Sequence, residues 1–362
     1  MQILYDGGAS QERGVGGIKR YFTNLIARLP ADFEPHYTTC RTADETEPSH
    51  PRLRIHRFPR FRPQRLSLRL EKRFFRRVEA AHTFAIAHPT YYTLLSQREV
   101  SEYRCPVVIT VWDMIHELFP KLDPSGRFVA RKRAAIEAAA VVLCISDNTK
   151  QDLLARYEID EDKVLVTHLA ADLNPAQLQG DERTPARPYF LYVGARAGYK
   201  NFDGLLSAFA AATTIAPDIA LCTVGAPFSR VEQERIAQLQ LAGRIENFGQ
   251  ISDRELAALY QRSIALVYPS LYEGFGIPPL EAMQCGTPVV ASNRSSIPEV
   301  VGDAGILVDP ARAGELTDAL VTLANQPALR ESLIARGYDR VKHFSWDKTT
   351  EQTLNVYRKL AK

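Results

Sequence analysis

The chain has no apolar stretch approaching the roughly 18 uninterrupted residues of a membrane-crossing helix, so no such helix is expected. Cysteine is scarce and scattered: Cys40, Cys105, Cys144, Cys222 and Cys285 never fall at C-x-x-C spacing. That argues against a cysteine-held metal site. Most of the five sit in or beside apolar stretches, as buried free thiols do, and free thiols suit a reducing cytoplasm. No H-x-x-x-H pair is present either, and no metal is expected. The first residues enter a strand at once, without a basic region and apolar block, so no signal peptide is expected. The formal charge of +3 is too small to support an electrostatic argument about the whole molecule.

What is present is the composition of a globular enzyme-sized chain. At 362 residues, 45% hydrophobic and 24% charged, it exceeds one ordinary core, and two domains are expected. Its charge is unevenly placed. Residues 52–77 carry Arg52, Arg54, Arg57, Arg60, Arg62, Arg65, Arg69, Lys72, Arg73, Arg76 and Arg77 against the single acid Glu71. Leu66, Leu70, Phe74 and Val78 recur at i, i+4 steps, which predicts a basic amphipathic helix. Such helices favour anionic membrane surfaces; a solvated charged face or an interdomain lip is the alternative. Few aromatics interleave and no nucleic-acid motif is present, so nucleic acid is not expected as a partner.

The pattern of the first half is strand, glycine loop, helix. Gln2–Tyr5 reads as a strand, Gly14-Val15-Gly16-Gly17 as a loop able to cradle phosphate or sugar, and Ile18, Tyr21, Phe22, Leu25, Ile26 and Leu29 as one helical face. The loop alone is equally a plain flexible connection. Pro106–Val111 reads as a buried parallel strand running into Trp112-Asp113-Met114-Ile115-His116-Glu117. Ligands in open α/β sheets gather beyond the carboxyl ends of strands, which places Asp113, His116 and Glu117 where chemistry is possible. Residues 174–188, with Asn174-Pro175, Gly180-Asp181 and Pro185-Ala186-Arg187-Pro188, read as a linker between a first domain of 1–173 and a second of 189–342. The strand–helix alternation then restarts, implying two doubly wound parallel α/β sheets.

The most informative stretch is Ser270-Leu271-Tyr272-Glu273-Gly274-Phe275-Gly276-Ile277-Pro278-Pro279-Leu280-Glu281. A buried strand leads in, two glycines allow close backbone approach, and two prolines suit the first turn of a helix. Strand, turn and helix N-terminus make an anion site. Carboxylates eight positions apart, Glu273 and Glu281, bracket it. Acids beside a phosphate site make sense when they accept hydrogen bonds from sugar hydroxyls. Arg196 and Lys200 follow another strand end and could supply the cationic partners of a diphosphate.

These motifs resemble those of the retaining glycosyltransferases of family 4, which have the GT-B fold. The resemblance rests on Gly14-Val15-Gly16-Gly17-Ile18, on Val193-Gly194-Ala195-Arg196 with Lys200-Asn201, on the Glu273-to-Glu281 turn, and on Gly286-Thr287-Pro288 and Ile297-Pro298-Glu299. It implies that Glu281 accepts from the nucleotide ribose and Glu273 from the donor sugar. It implies backbone contacts from Gly274, Phe275, Gly276 and Ile277, diphosphate binding by Arg196 and Lys200, an edge for the base near Ile251, and approach by Gly16 and Gly17. It also implies a C-terminal helix, 343–362, returning to the first domain. The donor would be a nucleotide-diphosphate sugar, with GDP the preferred nucleotide and no further cofactor. The acceptor would be a glycan or lipid-linked saccharide in cell-surface polysaccharide synthesis, with mannose or a related deoxysugar preferred as cargo. The expected place is the cytoplasm, peripheral on the inner face of the membrane through residues 52–77. One position departs: Trp112 stands where many relatives carry histidine, and an indole cannot take a proton. Asp113 or His116 is then expected to act in its stead, or Trp112 to form only a wall against the sugar. The rival readings are a catalytically silent subunit and a nucleotide-sugar epimerase.

Overall fold

The computed structural model describes residues 1–11, 16–42 and 47–362. Gly14 and Val15 of the glycine loop therefore lie outside the described residues. The chain forms two compact units, Met1–Leu169 with Trp346–Lys362, and Ala170–Ser345. The residues read as a linker belong to the second unit. There Glu182 is buried and accepts backbone N–H groups from Gln179 and Gly180 at 2.8 and 3.0 Å.

The first unit is built on parallel strands β1 (Gln2–Asp6), β2 (Glu34–Thr39), β3 (Arg54–Arg57), β4 (Ile86–Ala87), β5 (Val108–Val111), β6 (Val141–Cys144) and β7 (Val164–Val166). The order β3-β2-β1-β4 continues through a parallel bridge between Ala87 and Val107 into β5-β6-β7. Strands β5 and β6 are β-branched and apolar because helices cover both faces of a parallel sheet. Polar strands β2 and β3 carry no such signal and are not apparent in the sequence; they form because β1 offers a hydrogen-bonding edge. The helix Gly16–Ala27 buries Ile18, Tyr21, Phe22, Leu25 and Ile26, the face its periodicity predicts.

Two expectations for this unit are corrected. The helix Gln64–Ala81 exists, but it buries Ser67, Glu71, Phe75 and Val78, so its inner face is turned one residue from the expected stripe. Glu71 goes inside because Arg60 holds both its oxygens, at 2.6 and 2.9 Å, and Ser67 because its hydroxyl accepts the Phe61 N–H. Leu66 and Leu70 point outward instead, 47% and 38% exposed. Trp112, expected as a wall for sugar, packs edge-on against Tyr21 with ring centroids 5.1 Å apart and is buried.

The helix Trp346–Leu360 completes this unit. The Tyr357 hydroxyl lies 3.2 Å from that of Tyr5 and 2.5 Å from His88 Nδ1, while His88 Nε2 meets Thr110 at 2.8 Å. All four side chains are buried, so each polar atom in this chain needs its neighbour.

The second unit holds one six-stranded parallel sheet: β8 (Tyr189–Val193), β9 (Ala220–Val224), β10 (Ile245–Asn247), β11 (Ala265–Tyr268), β12 (Val289–Ser292) and β13 (Gly305–Val308), in the order β10-β9-β8-β11-β12-β13. Its core joins Phe190, Leu221, Val267 and Val290 from the strands to Leu205, Phe209 and Leu320 from helices. The strand order reverses between β8 and β11, and such a reversal opens a crevice at the carboxyl ends of the two strands. No helix among the described residues is long and apolar enough to cross a membrane.

Candidate active site

The reversal point brings together two loops distant in sequence. One leaves β8 at Gly194 and ends at Lys200; the other leaves β11 at Pro269 and ends at Gly276. Their backbones join through Leu271 N–H donating to the Tyr199 carbonyl at 2.7 Å. Between them Lys200 Nζ lies 2.7 Å from both carboxylate oxygens of Glu273. Glu273 is 6% exposed, so this pair is largely out of water. Aromatic faces of Tyr199 and Tyr268 also meet the ammonium, at 5.2 and 5.7 Å from the ring centroids. Burial, and then the Glu273 carboxylate, push the Tyr268 hydroxyl well above its usual value, so it stays a proton donor at neutral pH.

The Glu273 backbone is pinned by Ser295 and Ser296, two residues the sequence reading did not single out. The Ser296 hydroxyl donates to the carbonyls of Glu273 and Phe275 at 2.9 and 2.6 Å, and Ser295 Oγ accepts the Glu273 N–H at 3.2 Å. The available signal was their position: they follow β12, next to β11 in the sheet.

Gly276 precedes the helix Ile277–Gln284 with φ of 128°, a conformation that a side chain would strain. Pro278 and Pro279 carry no N–H, so this helix start offers fewer orphan donors than most. Gly274 and Phe275 are buried beside this helix start, Phe275 against the Phe344 ring at 5.7 Å. Five residues inside the helix, Glu281 is 5% exposed and accepts from the Tyr260 hydroxyl at 3.2 Å. Tyr260 belongs to the helix Asp253–Arg262, which begins just after half-buried Ile251. Ile251 and Glu281 are thus tied to one helix at its two ends.

Arg196 is placed differently from the expectation of a guanidinium turned to a diphosphate beside Lys200. Its Nε binds Glu232 at 2.6 Å and its Nη2 binds the carbonyls of Ala226 and Pro227 at 2.7 and 2.9 Å. The guanidinium lies over the Phe228 ring at 4.8 Å, and its Nη1 is buried with no hydrogen-bond partner among the described residues. Arg196 therefore holds the loop after β9, and one N–H pair remains to it.

In the first unit, Asp113 is half-buried beyond β5, and its Oδ1 accepts the Ile115 N–H at 3.0 Å. Its carbonyl receives the buried Lys132 ammonium, which also binds Glu117 at 3.1 Å. With Tyr157 donating to its other oxygen at 2.6 Å, Glu117 is fully engaged by the fold. His116 lies against Phe128 at 4.2 Å, with Nδ1 buried and unpartnered among the described residues. Gly16 and Gly17 are exposed at the start of the helix Gly16–Ala27, and a Cβ on Gly16 would meet nothing within 4 Å.

Residues 15–174 match the model of the family described as Glycosyltransferase Family 4, and residues 177–340 that of Glycosyl transferases group 1. The chain is a family 4 glycosyltransferase. It is 31% identical to O-antigen chain mannosyltransferase B of Escherichia coli, over 70% of each chain. It is 30% identical to alpha-maltose-1-phosphate synthase of Mycolicibacterium smegmatis, over 96% of each. Sucrose-phosphate synthase from Thermosynechococcus elongatus superposes with a TM-score of 0.78 over 99% of this chain and 98% of its own, at 22% identity. That last likeness is one of fold, and the glycosyltransferase has the GT-B class of two Rossmann-like units.

Proposed function

We propose that this glycosyltransferase moves a hexose, with retention of configuration, from a nucleotide-diphosphate sugar to a glycan or lipid-linked acceptor. The observation that carries the reading is the Lys200–Glu273 pair set at the sheet's reversal point beside the Gly276 turn. The Lys200 ammonium would also face a phosphate oxygen of a donor bound in this crevice, so one lysine would link the sugar-binding acid to the leaving diphosphate. Charge that develops on the departing diphosphate would be met by Lys200, the remaining Arg196 N–H pair and the N–H groups of Phe275 to Ile277. Glu281 would accept from the ribose, with Tyr260 fixing its direction. Asp113 and His116 would serve the acceptor side, and Gly16 and Gly17 would leave room for a ligand at the first unit's helix start.

Mannose on a GDP donor is the preferred cargo, supported by the mannosyltransferase among the relatives. A thermal-shift screen of GDP, UDP and ADP, and of their sugars, tests it. GDP and GDP-mannose should raise the unfolding midpoint in proportion to binding. Slow release of α-mannose from GDP-mannose, without added Mg²⁺ or Mn²⁺, should follow. No shift with any nucleotide diphosphate, or release of the β-anomer, sinks the reading.

The helix Gln64–Ala81 supports a second element, contact with an anionic membrane. Arg62, Arg65, Arg69 and Arg73 are exposed and make no ion pair among the described residues. Exposed Phe61, Leu66 and Leu70 stand among them. Apolar side chains mixed with cations on one face suit the boundary between headgroups and acyl chains. Co-sedimentation with vesicles should rise with acidic phospholipid and fall with salt, and should be lost in R65E/R69E/R73E.

A further inference from the structure

The first unit carries a second constellation, away from the residues discussed above. Strands β2 and β3 run parallel with His36 beside Arg54 and Thr38 beside His56, so the two imidazoles share one face of the sheet as diagonal neighbours. His82, the residue that follows the helix Gln64–Ala81, joins them. His36 Nδ1 lies 3.0 Å from His56 Nε2, and one ring nitrogen from each of the three lies within 4.8 Å of the others. His36 is completely buried and the other two are half-buried.

We propose that His36, His56 and His82 bind one divalent transition-metal ion of the zinc type, with a fourth position left to water. Three imidazole nitrogens around tetrahedral zinc, at about 2.0–2.1 Å, stand about 3.3 Å from one another. The His36–His56 pair, at 3.0 Å, is already near that spacing, and a His82 nitrogen lies within 4.8 Å of both. The outer groups are those that orient metal-binding imidazoles. Glu34 Oε1 lies 3.3 Å from His36 Nε2, so the proton sits there and Nδ1 keeps its lone pair. His82 Nδ1 donates to the Val78 carbonyl at 2.9 Å, which leaves the lone pair on Nε2.

Arg52 and Arg54, bound to Glu34 at 3.0 and 2.6 Å, oppose a dication. That selects ions held by nitrogen bonding over oxygen-seeking Mg²⁺ or Ca²⁺. A cavity of about 300 Å³ borders the cluster at His82, lined also by Glu79, Phe84, Arg98 and Glu102. Metal here would tie two polar strands to the end of the arginine-bearing helix. No metal is expected from the sequence because it has no H-x-x-x-H pair or cysteine cluster, and these three histidines lie far apart along the chain.

The test titrates untagged full-length protein with Co²⁺ and Zn²⁺, followed by absorbance, calorimetry and thermal unfolding. One equivalent per chain should bind, Co²⁺ should show the intense visible absorption of a four-coordinate site, and the unfolding midpoint should rise. His56→Gln and His82→Gln alter half-buried side chains; each should keep the metal-free circular dichroism and lose at least about tenfold in affinity. Absence of saturable one-equivalent binding by the folded wild type overturns the proposal. So does full affinity in either folded variant.

Discussion

Lys200 places its ammonium at equal distance, 2.7 Å, from the two carboxylate oxygens of Glu273. The geometry joins a residue needed for diphosphate to one needed for sugar, and it makes each the condition for burying the other. Lys200→Met should lower stability by about 3–5 kcal/mol, because it leaves a buried carboxylate unpaired. The double variant Lys200→Met/Glu273→Gln should recover most of that stability and none of the transfer rate. Thermal unfolding and donor hydrolysis on the four proteins of the cycle measure both. Recovery of activity along with stability would reduce the pair to a structural role.

Glu281 has a narrower task. Glu281→Gln keeps an acceptor for the Tyr260 hydroxyl but removes the charge from any ribose hydroxyl bound there. Hydrogen bonds to a charged group contribute about 1.5–3 kcal/mol, so nucleoside diphosphate affinity should fall by about tenfold or more. Inorganic pyrophosphate, which has no ribose, should bind both proteins alike. Calorimetry with the two ligands separates the ribose contribution from a general loss of the site.

Arg196→Lys tests how the loop after β9 is held. Lysine cannot reproduce bonds to Glu232 and two carbonyls from one planar fork. The variant should lose about 1–3 kcal/mol of stability from unsatisfied buried carbonyls. Diphosphate affinity should fall by more than the affinity for the nucleoside alone, since the remaining Nη1 donors disappear as well. Equal losses for both ligands would remove Arg196 from diphosphate binding.

A buried acid gives the first unit a distinctive response to pH. Burial raises the Asp6 carboxyl from 3.8 to about 7, partly offset by the N–H groups of Leu95 and Gly8 that it accepts. A group raised in the folded state contributes stability fully below its unfolded value and loses it as pH rises through the folded one, here between 3.8 and 7. Buried His88, lowered from 6.5 to about 3, runs the other way, losing stability as pH falls through that window. Asp6→Asn keeps the Oδ1 acceptor and removes one of the two opposed titrations. On going from pH 7 to 5 the wild type should therefore gain about 2 kcal/mol relative to Asp6→Asn. Urea unfolding of both proteins at the two pH values reads the difference.

Much of the fold is legible in the chain because buried parallel strands must be apolar and β-branched. Pro106–Val111 is read on that basis, and the strand Val108–Val111 lies within it. Glu34–Thr39 and Arg54–Arg57 are not, since hydrogen bonding to a neighbouring strand leaves no trace in hydropathy. The face of Gln64–Ala81 is misread for a related reason: the ion pair of Glu71 with Arg60 buries a charge that periodicity assigns to solvent. At the candidate site, glycines, prolines and acids announce a ligand turn locally. The pairing of Lys200 with Glu273 spans 73 residues and emerges only from the strand order. Arg196 shows the converse limit, because a cation next to a strand end serves the loop as readily as a ligand.

The buried run from Tyr5 through Tyr357 and His88 to Thr110 has a consequence for how the chain is made. Synthesis delivers β1 to β7 first, yet the helix that satisfies His88 and covers Tyr21 follows the whole second unit. The first half to leave the ribosome is thus the last to be closed, while Ala170–Ser345 can finish ahead of it. Until residues 346–360 arrive, an apolar groove and the unpartnered Nδ1 of His88 face water. We expect a chain stopped after Ser345 to expose that groove to protease and to hydrophobic dye, and a synthetic 346–360 peptide to protect it again.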